Sequence, residues 1–225
     1  DGRVTQIENG ISILDSCGVK STFYLTPPWM EQRHETWRNV ARSGHEIGNH
    51  TVSHPCTGNL EFTRGNPIED YTLERMDAEL ARANAIIEEK LGVAPTTFAY
   101  PCGGTFLGRG ENAQSYIPLV AKRFLAGRGY WEPYPNVPGL CDLAHLLGCS
   151  FDALPFETVK KLIDRTIAEE GWLILVGHDV RPNDWQGVDP HVLKRLCEYL
   201  LENGWIWVDT IAHIAQYVRD ERISG

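Results

Sequence analysis

The chain has 225 residues, 42% of them hydrophobic and 23% charged, with a formal charge of −9 and a pI near 5.4, which is enough apolar content for one domain with a true core. The acidic balance argues against a nucleic-acid partner, because phosphate recognition needs clustered Lys and Arg. No 18-residue apolar run is present, so no membrane span is expected. The sequence opens at Asp1 without an initiator Met, and upstream residues are therefore expected.

In chain order, Ile7, Ile11 and Leu14 fall at helical spacing, so residues 7–16 read as an amphipathic helix with Gly18 behind it. KSTFYL, 20–25, reads as a strand stopped by Pro27 and Pro28. Residues 31–42 read as a helix and 45–48 as a short strand. Residues 70–91 are a run of strong helix formers closed by Gly92. Residues 96–100 read as a strand, 115–124 as a helix and 125–131 as a strand. A long Pro- and Gly-bearing loop follows to Pro155, with a short helix at 143–147. Then come a helix at 156–169, a wholly apolar strand in WLILVG (172–177), a helix at 188–202, a strand at 205–208 and a last helix at 210–218. Strands alternating with helices imply βα units around a parallel sheet, and WLILVG has the composition of a strand covered on both faces. In such folds chemistry collects at the C-terminal strand ends. That rule selects Asn49 and His50, Cys102 with its glycines, Trp131 and Glu132, His178 and Asp179, and Asp209, with Asp1 placed where a strand end would be.

The six cysteines (17, 56, 102, 141, 149, 197) are scattered without a CxxC pair; they read as reduced, mostly buried thiols. The histidines are more informative. GHEIGNHTVSH, 44–54, holds three of the eight. His50 and His54 are four apart, and on a helical turn both imidazoles would share a face and reach one metal at about 2.0–2.1 Å. Their neighbours Asn49, Thr51 and Ser53 are poor core residues. His45 reads as structural. A carboxylate completing the set would make a hydrolytic metal site, with Asp1 one candidate. His178 emerges from the apolar strand, either as a satisfied core histidine or as a general acid working near neutral pH. Among the aromatics, Trp172, Trp205 and Trp207 read as core. Trp131 and Trp185 could equally present a face to a sugar ring.

These residues resemble those of the polysaccharide deacetylases, the carbohydrate esterase family with the NodB homology domain. GNHTVSHP resembles the family's HxxxH metal motif, the initial DG the end of its TFDDG motif, FAYPCGG (98–104) its RPPYG-like loop, and ILVGHD (174–179) its late strand ending in LxH. The resemblance implies an α/β fold, a distorted (β/α) barrel of the NodB type with its first strand truncated here, formed by residues 1–225 as a single catalytic domain. It implies a metal-dependent hydrolase that removes acetyl groups, N-acetyl or O-acetyl, from an acetylated oligo- or polysaccharide, with a divalent metal, zinc being expected. Carried over residue by residue, Asp1, His50 and His54 would be metal ligands, His178 the acid that protonates the leaving group, and the backbone N–H of Cys102 the oxyanion donor. A cell-wall or environmental substrate would put the protein outside the cytoplasm. The sequence departs from the family at three points. The family's base precedes the position of Asp1. Its supporting Arg is replaced by Ala99, for which Arg109 or Arg128 could substitute. The Leu of LxH is Val176. The carboxylate that orients His178 would be Asp142 or Asp152. Two other readings stay open: a sugar-binding member without turnover, and a relative hydrolysing small cyclic amides.

Overall fold

Alternation along the first strand sorts the core. In a computed structural model describing residues 1–224, helix α1 (Ile11–Ser16) precedes strand β1 (Thr22–Leu25). Phe23 and Leu25 point to one face, among Trp37, Val40 and Ile47, while Tyr24 points to the other, among Ala99, Ala126 and Leu146. The first face is covered by helices and the second is the barrel interior. After α2 (Pro27–Met30) and α3 (His34–Arg42) comes β2 (Glu46–Asn49). Its Gly48 lies against the Tyr24 ring, where a Cβ would stand 2.4 Å from Cε1; no larger residue fits there.

Helix α4 (Leu73–Leu91) shows the local logic most plainly. Met76, Leu80, Ala83, Ile87 and Leu91 form its buried stripe. The Thr72 hydroxyl accepts the Arg75 N–H at 3.2 Å as an N-cap. Gly92, at φ 74°, closes the helix and returns its N–H to Glu88. Strand β3 (Thr97–Ala99) follows, then a small hairpin of β4 (Phe106–Leu107) and β5 (Gln114–Ser115), helix α5 (Ile117–Arg123) and β6 (Ala126–Arg128). The remaining elements are β7 (Cys149–Ser150), α6 (Phe156–Ala168), β8 (Leu175–Val176), the pair β9 (Asp179–Val180) and β10 (Gly187–Val188), α7 (Pro190–Glu202) and α8 (Ile211–Ser224).

β1, β2, β3 and β6 pair in that order, all parallel. A parallel bridge from Arg128 to Leu146 continues the wall, and β7 pairs with β8 in parallel. The wall does not close. A cleft of about 620 Å³ opens beside β1 and β8, lined by Phe23, Leu175, Trp205 and Trp207 among others. At its upper rim the Asp1 backbone nitrogen donates to Tyr24 O at 2.7 Å. The expected distorted barrel is therefore present, with the cleft lying between β1 and β8.

Two expectations fail here. Residues 205–208 are not a strand. They flank the cleft and, among the described residues, pair with no strand, and Trp205 and Trp207 are 68% and 48% exposed instead of core. Two of the cysteines are not reduced thiols: Cys56 and Cys102 form a disulfide across a sequence separation of 46. A loop of that size is stabilised by about 4 kcal/mol in the chain-entropy picture. Cys17, Cys141, Cys149 and Cys197 are free, and Trp172 is buried as expected. No helix among the described residues is long and apolar enough to cross a membrane.

Candidate active site

The strand ends deliver the selected residues to one rim of the barrel. β2 ends at Asn49, whose amide donates to Leu80 O at 2.9 Å and whose carbonyl accepts the Thr51 N–H at 2.8 Å. This turns the chain sharply, and His50 to His54 form a bend, not the helical turn that their spacing suggested. Thr51 at φ 60° and His54 at φ 49° hold left-handed backbone instead. The two imidazoles still meet, with ring centroids 4.7 Å apart. Asp1 joins them: its Oδ1 stands 3.1 Å from His50 Nε2 and 3.5 Å from His54 Nε2. The Asp1 and His50 side chains are only 3% and 6% exposed.

The proton inventory of this cluster is one-sided. His50 Nδ1 is 2.8 Å from Ala99 O, an acceptor, so Nδ1 carries the proton and Nε2 of the neutral ring has only a lone pair. Burial first, then the neighbouring His54, pushes the His50 pKa well below the usual value. Burial above all pushes that of His54 down to about 4. Both rings are thus neutral, and a lone pair faces a carboxylate oxygen. A divalent cation between them would convert that repulsion into bonds, so the donor set fits a metal of the zinc type with two imidazoles and one carboxylate. A second group, His54 with Cys56 and Cys102, also has ligand atoms within 4.8 Å of one another, but the disulfide removes its thiolates.

Facing this cluster is a dyad whose bonds are complete. His178 Nδ1 lies 2.5 Å from Asp152 Oδ2, and the His178 backbone N–H donates to Asp152 Oδ1 at 2.9 Å. The Tyr130 hydroxyl donates to the same carboxylate at 3.0 Å, and its ring meets the His178 ring edge-on at 5.2 Å. Asp152 is therefore the orienting carboxylate; Asp142 instead caps the turn at Leu143–His145 through the Ala144 N–H. Cys102, at φ 53°, follows Pro101 beyond β3 and is tied to Cys56, two residues past His54. Arg109 is remote from the site, paired with Asp70 on the surface. Arg128 is the other candidate. It pairs in register with Ala99, stacks over the Tyr24 ring at 4.8 Å and has no ion pair among the described residues.

Several features escaped the sequence. The indole of Trp29, 38% exposed, lies 5.8 Å from the His54 ring under the Arg3 guanidinium. The disulfide had a weak signal: each of its cysteines directly follows a proline just past the end of neighbouring strands. His45 is structural, accepting the Ser21 N–H at 3.1 Å. Trp131 and Trp185 are exposed at 63% and 73%.

With this geometry in hand, comparison with known proteins defines the class. The family model described as polysaccharide deacetylase matches residues 1–114, and the chain belongs to that family. It is 34% identical over 97 residues to the uncharacterized protein YlxY of Bacillus subtilis, a match covering 43% of this chain and 27% of that one; the aligned region is about a quarter of that relative's length. A putative polysaccharide deacetylase from Mycobacterium smegmatis superposes with a TM-score of 0.70 at 17% identity, over 98% of this chain and 79% of that one. A family 4 acetyl xylan esterase from Clostridium thermocellum, in complex with a cobalt ion, gives 0.62 at 19% identity, over 96% and 87%. These structural likenesses establish the fold.

Proposed function

We propose that this chain is a metal-dependent deacetylase that hydrolyses an acetyl group, N-acetyl or O-acetyl, on a carbohydrate. One observation carries the reading: three ligand-type atoms, Asp1 Oδ1, His50 Nε2 and His54 Nε2, converge within 4.8 Å of one another, with the His50 lone pair facing inward, opposite a histidine whose other nitrogen is held by a buried carboxylate. Residues 1–225 would act as one catalytic domain, a reading supported by structural likeness over 98% of the chain. The cobalt complex of the Clostridium esterase supports a divalent cation, and zinc suits two imidazoles and a carboxylate.

The bound cation would polarise the acyl oxygen and acidify water. The chain's own residues divide the remaining work. The Ala99 carbonyl fixes the His50 tautomer so that Nε2 points inward. Asp152 holds the proton of His178 Nδ1, leaving Nε2 to carry a second proton to the departing amine or alcohol. The backbone N–H of Cys102 would donate to the tetrahedral oxyanion. Buried Asp152, hydrogen-bonded three times, would stand beside the imidazolium that forms.

Exposed Trp131 and Tyr134, 63% and 52% accessible, favour a sugar ligand over a small cyclic amide. They would equally serve a sugar-binding member without turnover. Acetate release from acetylated chitooligosaccharide and acetylated xylan, measured on full-length protein with bound metal quantified, separates the readings. Acetate from either substrate supports the deacetylase. Stoichiometric metal with no acetate from any acetylated sugar would refute it.

A further inference from the structure

His54 differs from the other two histidines of the site in what holds its second nitrogen. His50 Nδ1 is fixed by the Ala99 carbonyl and His178 Nδ1 by Asp152. Beside His54 Nδ1 lies Cys56 Sγ at 3.6 Å, and the ring is otherwise hydrogen-bonded only to its own main chain. Histidines that ligate metals are ordinarily oriented by a carboxylate, a carbonyl or water on the other ring nitrogen, and here a half-cystine stands beside that nitrogen. The backbone around it is equally unusual. Thr51, His54 and Cys102 are all non-glycine residues with φ between 49° and 60°, a region that costs free energy and persists only where the surroundings hold it. The segment from His50 to Cys56 has no helix or strand of its own. Hydrogen bonds tie it at His50 to Ala99 O and at Val52 and Ser53 to Glu79 and Tyr71; at the end that carries His54, the ties are the His54 N–H to Thr51 Oγ1 at 3.0 Å and the Ile68 N–H to Cys56 O at 2.9 Å. Its one covalent tie is the Cys56–Cys102 disulfide, which joins it to the loop beyond β3.

We infer that the Cys56–Cys102 disulfide is a positioning element for His54, making cation binding and turnover conditional on the oxidised pair. This rests on the metal-site reading above. A dithiol reductant would transfer two electrons and two protons to the bridge, leaving two thiols and itself becoming a cyclic disulfide. The left-handed loop would then relax, and His54 would lose its tether. The site so built works where disulfides persist, in an oxidising compartment.

The test uses full-length protein in three forms: oxidised, reduced by a dithiol then freed of reductant without air, and reoxidised. Zinc affinity by competition with a chelating dye, and kcat and KM for acetate release, are measured on each. The variants Cys102→Ser, which keeps Cys56 Sγ beside His54, and Cys56→Ala, which removes it, are compared after circular dichroism shows them folded. The expected result is a loss of about 10- to 100-fold in zinc affinity on reduction, a matching fall in kcat with KM nearly unchanged, recovery on reoxidation, and a larger loss in Cys56→Ala than in Cys102→Ser. Equal zinc affinity and equal kcat in the oxidised and reduced forms would overturn the inference while leaving the metal site intact. An oxidised form that binds no zinc at all would overturn the metal site itself.

Discussion

Two histidine clusters share the rim of this barrel, and their hydrogen bonding is opposite. In the His178–Asp152 dyad donor meets acceptor at Nδ1, at the backbone N–H and at the Tyr130 hydroxyl. In the Asp1–His50–His54 cluster the Asp1 carboxylate, ion-paired to Arg3, lies 3.1 Å from the lone-pair Nε2 of His50 and 3.5 Å from Nε2 of His54. A complete dyad is equipped to move a proton and needs nothing added. A cluster of buried lone pairs is unfavourable until a cation enters it. The comparison assigns different chemistry to residues that composition alone would treat alike.

The strongest break in that comparison is removal of a ligand. His54→Ala and His50→Ala are each expected to abolish stoichiometric metal and, through several kcal/mol of lost charge stabilisation, to lower kcat/KM by about 10³-fold or more. Metal analysis beside kinetics checks this. His178→Ala is expected to keep the metal and lose about 10²- to 10⁴-fold in kcat, so the two clusters should separate cleanly by metal content. Asp152→Asn disturbs only the orientation of His178. A loss of about 10- to 100-fold in kcat with metal retained is expected, read from the same assays.

A smaller effect tests the protonation states. His54, with its pKa pushed down to about 4 from 6.5, binds no proton in the folded protein between those values, while the unfolded chain does. Stability of the metal-free protein therefore rises with pH across that window and is lost as pH falls through it, by at most about 3 kcal/mol from this group. Denaturant midpoints at pH 7 and pH 5 measure it, and His54→Ala should flatten the dependence. The smallest expected change is at the sugar-facing rim: Trp131→Ala should raise KM about 3- to 10-fold with kcat nearly held, the signature of lost substrate contact.

Much of this architecture was legible beforehand because local signals agreed with the global fold. The stripe of Met76, Leu80, Ile87 and Leu91 with Thr72 and Gly92 at its ends names a helix without help, and the apolar run before His178 places that residue at a strand end. Asp1, His50 and His178 were selected by position past strands and His54 by its spacing from His50, and the structure brings them to one rim. Their local conformation was not legible. The HxxxH spacing suits a helix, yet the Asn49 side chain and left-handed Thr51 and His54 bring the rings together through a bend. The choice of Asp152 over Asp142, and the pairing of Cys56 with Cys102, depend on which strands adjoin, and that is tertiary information. Residues 205–208 have strand composition, but among the described residues no strand pairs with them, so propensity alone does not make a strand there.

The central claim is that a cation binds between the carboxylate of Asp1 and the Nε2 atoms of His50 and His54. Crystals grown with zinc and measured across the zinc absorption edge test it directly. The account predicts one anomalous peak within about 2.0–2.2 Å of all three atoms. A fully loaded protein whose zinc lies elsewhere, with Asp1, His50 and His54 left free, would contradict it.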